Sequence, residues 1–211
     1  VGLVASAGGR ATHVVDPTQL VDAASWRKAL ALRGADARPR LVCYFLSENV
    51  LAALPALETF ARERRCAVEV FVDRLQLPMP KSPSAIGKRL GWWARRMTSP
   101  VRLRLAAGPR EFVGAFSSAT WVLSDSFHAL MFASIFGVDV RILRPKDAFR
   151  QMMFGRIEEF VKCAVKGTAL SANVQEALAS FAQGEPCVYD EAFLRERREA
   201  SRTWLAEALS D

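Results

Sequence analysis

One stretch constrains the fold of this chain more than any other: Ala119 to Lys146, ATWVLSDSFHALMFASIFGVDVRILRPK. It reads as strand, polar turn, apolar helix, strand and basic turn. Trp121–Leu123 is a short apolar run, and Ser124, Asp125 and Ser126 are three capping-type residues in a row. Phe127–Phe136 is nearly all apolar and stops at Gly137, after which Val138–Leu143 returns to a β-branched run. A strand-turn-helix junction leaves free backbone N–H groups at the helix start, a ready place for an anion. His128, one of two histidines in the chain, falls in that first helical turn.

The same alternation extends through much of the sequence. His13–Val15 is a short strand candidate closed by Asp16-Pro17, and Gln19–Leu32 reads as a helix. Leu41–Leu46 is a continuous apolar run, hence a buried strand. Val50–Arg64 is amphipathic, with Leu51, Leu54, Leu57 and Phe60 on one face and Pro55 near the first turn. Cys66–Val72 is the next strand, ending at Asp73. Arg74–Gly108, interrupted by Pro78, Pro80, Pro83 and Pro100, is irregular apart from a short helix around Ala85–Met97. Pro109–Ser118 is a short helix with Phe112, Val113 and Phe116 inward. After Lys146 the pattern is helical: Met152–Lys166, Asn173–Gln183 and Asp190–Leu209, broken at Gly167 and Gly184-Glu185-Pro186. Strands alternating with helices predict an α/β fold, a Rossmann-like mostly parallel sheet flanked by helices.

In such sheets the ligand lies off the carboxyl ends of the strands. Four ends can be read: Ser47-Glu48-Asn49, Asp73-Arg74, Ser124-Asp125-Ser126 and Arg144-Pro145-Lys146. Together they hold a histidine neighbour, carboxylates and cations, the parts of a site for a phosphate-bearing ligand. His128 is suited to donate a proton or a hydrogen bond to phosphate; the plainer reading is a core histidine on an apolar helix. Asp125 and Ser126 read first as helix caps. Arg144 and Lys146 either clamp phosphate or carboxylate or belong to a solvated turn. Asp73 reads first as a turn residue and second as a candidate general base. Asp16 shapes a turn, and His13 reads as structural.

Composition narrows the partners. With 211 residues, 51% hydrophobic and 24% charged, the chain has enough apolar material for a core. The longest apolar stretch, around Phe127–Val138, is too short to cross a bilayer, and no signal peptide is read. The four cysteines are scattered without metal-ligand spacing, so no metal is expected and a reducing cytoplasm is the simplest compartment. The net charge of +7 is local: between Asp73 and Glu111 there is no acidic residue but there are nine arginines and lysines. Inside this basic loop, 74–110, sits Trp92-Trp93-Ala94-Arg95-Arg96. Indoles stack on sugars and arginines attract anions, so the loop suits an anionic or lipid-linked glycan. It equally suits peripheral contact with the inner membrane, or an amphipathic core helix with a solvated basic face. No nucleic-acid-binding motif is present.

Beyond these patterns, Asp125-Ser126-Phe127-His128 resembles the polysaccharide pyruvyl transferase family. The resemblance includes Asp16-Pro17 followed by Leu20 and Trp26, the Tyr44-Phe45-Leu46 strand end, and Gly108-Pro109-Arg110-Glu111-Phe112 leading into Ala119–Val122. It runs on through Ser124–Gly137 to Phe154-Gly155-Arg156-Ile157, and to Arg197/Arg198 with Ser201 in a terminal amphipathic helix. These elements follow the family's order from about residue 13 onward. The resemblance implies a GT-B-like enzyme, two Rossmann-like domains facing across a cleft, of which residues 21–211 resemble the C-terminal domain. Residues 1–20 then read as a remnant of an upstream domain or a linker, and the terminal helix 190–209 as packing toward that domain. It implies transfer of a pyruvyl group from phosphoenolpyruvate, with no other cofactor, to sugar hydroxyls of a bacterial surface polysaccharide or its precursor, as a ketal. Donor binding is implied at Ser126, His128, Arg144 and Lys146, acid–base chemistry at His128 and Asp73, and acceptor binding at Trp92, Trp93, Arg95 and Arg96. Some members carry Arg where this chain has Ser126, and often Gly where it has Ala129. Two rivals stay open: a nucleotide-sugar glycosyltransferase of GT-B type, and a non-catalytic glycan-binding or assembly domain.

Overall fold

The computed structural model describes residues 12–32, 38–47, 50–72 and 99–210. Its frame is a six-stranded sheet. In chain order the strands are β1 (Arg40–Tyr44), β2 (Ala67–Phe71), β3 (Val101–Arg104), β4 (Trp121–Ser124), β5 (Asp139–Leu143) and, after a short β6 (Val165–Lys166), β7 (Leu170–Ser171). Across the sheet the order is β3-β2-β1-β4-β5-β7, with each pair parallel. The chain therefore winds outward from β1 in one direction, returns, and winds outward from β4 in the other. The β1–β4 boundary is the switch point, where a crevice opens at the carboxyl ends of the strands.

The central strands are buried on both faces, as their unbroken apolar runs require. On one face, α2 (Val50–Glu63) and α6 (Val174–Gln183) pack Leu57, Phe60, Leu178 and Phe181 onto the sheet. The other face is covered by α3 (Pro109–Ser117), α4 (Phe127–Phe136), α5 (Ala148–Ala164) and α7 (Glu191–Ala208). The sequence of α4 lacks a polar face because the helix is surrounded: Ala129 to Ser134 are all buried, between the sheet and neighbouring elements. Gly137 ends it in the left-handed conformation, φ 67°, as a C-terminal cap demands.

Several expectations change. Gln19–Leu32 is not one helix. Asp16 caps a short 3-10 turn, Pro17–Leu20; Val21 is extended; and Asp22 then caps α1 (Ala23–Ala29) through Ser25 N–H at 2.7 Å. His13–Val15 forms no strand, because its backbone bonds to a helix side chain: Val15 N–H donates to Ser201 Oγ at 3.0 Å. The end of the supposedly irregular basic segment is β3, whose alternating Val-Arg-Leu-Arg suits the last strand of the order. Pro55 lies inside α2 rather than at its start. Helix α5 begins at Ala148, four residues before the apolar pattern suggests, because Asp147 caps it through Arg150 N–H. The break at Gly184–Pro186 leads into β8 (Val188–Tyr189), antiparallel to β6.

One buried cation organises the β5 side. Arg141, fully buried, donates to Ser180 Oγ, Asp139 Oδ1 and the carbonyls of Val140 and Glu185, and lies 4.7 Å over the Phe181 ring. With its charge paired and its donors met, it ties α6 and the segment before β8 to the sheet. Among the described residues no helix is long and apolar enough to cross a membrane.

Candidate functional site

The site is built where β4 ends. Ser124 Oγ donates to the Tyr44 carbonyl across the switch point and accepts from Ser126 N–H at 3.1 Å. Asp125 turns its carboxylate onto the residues after β1, accepting from Leu46 N–H at 2.6 Å, Ser47 N–H at 2.7 Å and the Ser47 hydroxyl. Asp125 is thus the pin between two strand ends rather than the cap of α4. Ser126, buried, occupies the N-cap position with extended backbone but makes no side-chain cap hydrogen bond. The first turn of α4 consequently presents N–H groups that no side chain caps.

His128 stands in that turn, with 57% of its side chain exposed. Its Nε2 lies 3.8 Å from Asp16 Oδ2, close enough for ion pairing when the ring is protonated. The other oxygen of Asp16 accepts from the Thr18 N–H and hydroxyl, which fixes the carboxylate. The segment bearing Asp16 is strapped down: Arg198 Nε donates to the Gln19 carbonyl at 2.6 Å, Gln19 Nε2 to Ser134 Oγ at 3.1 Å, and Trp26 Nε1 to the Thr18 carbonyl at 3.1 Å. Segment 12–22 and α7, far apart in the chain, therefore meet, and the segment brings Asp16 to His128.

Ser126 and His128 line a crevice of about 920 Å3. Its wall is aromatic: Tyr44, Phe71 and Phe132 all pack on Phe112, with ring centroids 5.1, 5.2 and 6.0 Å away. Arg104, at the end of β3, also lines it. The structure thus brings together Ser126 and His128 of the expected donor residues. Arg144 and Lys146 are not on this crevice. Arg144 turns to Glu158 of α5, with its guanidinium 5.9 Å over Phe154, and Lys146 is exposed beyond it. Asp73, Trp92, Trp93, Arg95 and Arg96 lie outside the described residues. His13 bonds through Nδ1 to Arg197, beside a second cavity of about 330 Å3 that also reaches Asp16, Phe127 and Arg156.

Sequence reasoning missed three residues around the crevice. Asp16 has the sequence signature of a turn former; its approach to His128 is made by folding, with no linear signal. Arg104 was one cation among nine, and nothing set it apart until β3 was seen. Glu69 did carry a signal. It is a lone carboxylate inside an apolar strand run, and such a group needs partners when buried. It finds Arg40 and Arg104 at 3.1–3.2 Å. Among the described residues, no group of three or more His, Cys, Asp or Glu side chains gathers as for a metal ion.

No protein-family model matches the chain, and no curated protein matches it. Solved structures do. The UDP-GlcNAc 2-epimerase from Neisseria meningitidis, bound to UDP-GlcNAc, aligns with a TM-score of 0.50 and 14% identity over 88% of this chain and 47% of that one. The UDP-GlcNAc 2-epimerase from Methanocaldococcus jannaschii aligns at 0.50 and 13%, over 86% and 49%. A glycosyltransferase from Streptomyces nogalater aligns at 0.40 and 13%, over 94% and 42%. At these identities the likeness is one of fold. The chain has a GT-B-like α/β fold, a mostly parallel sheet flanked by helices. It spans about half the length of the two epimerases.

Proposed function

We propose that this chain is the donor-side half of a GT-B-type transferase that moves a group from a phosphorylated donor onto a sugar hydroxyl. The observation that carries this reading is the Ser126–His128 junction: a half-exposed imidazole and uncapped helix N–H groups on a crevice at the sheet's switch point. Phosphate oxygens suit that end of a helix, where the dipole and the free donors act together. Transfer requires the leaving phosphate to be met by hydrogen bonds as its C–O bond breaks. His128 supplies one such donor. The hydroxyl proton must pass to a base, for which Asp73 is our candidate. Trp92, Trp93, Arg95 and Arg96 are our candidates for holding the acceptor.

Two donors fall in this class. A nucleotide sugar is favoured by the crevice, whose volume and aromatic wall suit a base and a sugar ring, and by the epimerase likeness. In that reaction the anomeric C–O bond to diphosphate breaks as a C–O bond to the acceptor forms. Phosphoenolpyruvate, the second reading, is favoured by how the residues of the family resemblance fall together. Tyr44, Phe112, Ser126 and His128 share one crevice, while Arg198 and Ser201 hold the strap that carries Asp16. There the methylene carbon gains a proton, two acceptor oxygens bond to the neighbouring carbon, and phosphate leaves. Calorimetry with UDP-GlcNAc and with phosphoenolpyruvate, on wild type and His128→Ala, tests both. One donor is expected to bind, about tenfold or more weakly in the variant, as for a lost hydrogen bond to a charged group. Undiminished binding in His128→Ala overturns the reading, and the donor that binds selects between the two.

A further inference from the structure

The crevice needs positive charge to hold a phosphorylated donor, and neither Arg144 nor Lys146 lines it. We propose that Arg104, positioned by the buried carboxylate of Glu69, is a cation that binds the donor's phosphate oxygens. This rests on reading the crevice as a site for a phosphorylated donor. Glu69 lies in the middle of β2 and is 4% exposed. Its Oε1 accepts from Arg40 Nη1 at 3.2 Å and from Arg104 Nη2 at 3.1 Å, and its Oε2 accepts from Arg104 Nε at 3.2 Å. One carboxylate thus holds two guanidiniums, and of these only the Arg104 guanidinium reaches the crevice.

The two arginines differ in where they leave that charge. Arg40 is at the amino end of β1, its side chain 18% exposed and off the crevice. Arg104 is at the carboxyl end of β3, its side chain 43% exposed and on the crevice wall. Glu69 holds the Nε–Nη2 edge of Arg104 in a bidentate pair, so the fork is fixed while Nη1 has no protein partner among the described residues. A fixed fork loses little entropy on meeting a phosphate oxygen. A role in neutralising Glu69 alone would need no exposure to the crevice and is already served by Arg40. Arg104 is therefore a binding residue, and Glu69 a positioning residue.

The central comparison is between Arg104→Gln and Arg40→Gln, which remove the same charge. Binding of UDP and of phosphoenolpyruvate is measured by calorimetry for wild type, Arg104→Gln, Arg104→Lys, Arg40→Gln and His128→Ala, with urea unfolding beside it. Arg104→Gln is expected to weaken whichever probe binds by about tenfold or more, since a charge-assisted hydrogen bond to the phosphate is lost. Arg104→Lys, which keeps the charge but not the fork, is expected to fall between it and wild type, and it serves if Arg104→Gln does not fold. Arg40→Gln breaks an ion pair to the same carboxylate and is expected to lower stability while leaving binding within about twofold. Binding by Arg104→Gln at wild-type strength, or an equal loss in Arg40→Gln, overturns the assignment. If His128→Ala weakens binding and Arg104→Gln does not, the role of Arg104 fails while the donor site stands. If wild type binds neither probe, both fail.

Discussion

Asp125 and His128 stand three residues apart at one turn and serve different ends. Among the described residues the carboxylate of Asp125 accepts from the N–H groups of Leu46 and Ser47 and from the Ser47 hydroxyl, so its contribution lies in stability and in tying the end of β4 to the residues after β1. Removing it takes a charged acceptor from two backbone N–H groups. Asp125→Ala is expected to lower the unfolding free energy by about 1–3 kcal/mol, read as a lower urea midpoint with an unchanged slope. A midpoint equal to wild type would mean that the loop after β1 is held by other contacts. His128 is half-exposed, and its loss should be felt in ligand binding rather than in folding. The imidazole was legible in the sequence by its place in the first helical turn. Its carboxylate neighbour was not, because Asp16 reaches it only through tertiary folding.

At the scale of elements, α7 acts as a clamp. It packs on α5 and holds the segment 12–22 through Ser201, Arg198 and Arg202, whose donors or acceptors meet Val15 N–H and the carbonyls of Gln19 and Leu20. The helix itself was legible from its amphipathic pattern, and so was Asp190 near its start, which caps it through Phe193 N–H at 3.0 Å. What it grips was not legible, since side-chain-to-backbone bonds between chain ends have no periodicity. The same reason explains the false strand at His13–Val15: the Val15 N–H and the His13 carbonyl bond to side chains of α7 instead of a ladder. In Arg198→Ala/Ser201→Ala, amide protection across 12–22 is expected to fall by about tenfold or more, while β1 and β4 keep theirs. Unchanged protection would show that Arg202, Gln19 and Trp26 with their partners hold the strap without Arg198 and Ser201.

For the whole molecule, the buried acids of the core set an alkaline limit. Burial pushes the Tyr189 hydroxyl, which donates to the Val138 carbonyl, well above its ordinary range. Burial likewise raises the thiols of Cys43 and Cys66, and pushes that of Cys187 up to about 11. In each case the native state keeps a proton that the unfolded chain gives up, so the stability they hold is complete at neutral pH and falls as pH rises. For Cys187 the fall spans an ordinary thiol value near 9 to about 11, at about 1.4 kcal/mol per pH unit. The urea midpoint is expected to drop steadily between pH 8.5 and 11, and less steeply in Cys187→Ser. A flat profile over that range would show that these groups ionise without unfolding.

Local periods were legible along the chain: apolar runs for buried strands, a helix with no polar face that had to be enclosed, and the glycine that ends it. Those follow from nearest neighbours along the chain, so β1, β2, β4, α4 and β5 could be read before any fold was known. Strand β3 could not, because an edge strand of alternating Val and Arg carries too little apolar signal to stand out among prolines and cations. The tertiary structure alone decided the strand order, and with it which strand ends share the crevice. Arg144 follows the strand next to β4, yet α5 offers it Glu158; Arg104 stands at the far edge of the sheet, yet Glu69 holds it on the crevice wall. A charge is placed by its nearest counter-charge in space, and that distance is not written in the chain.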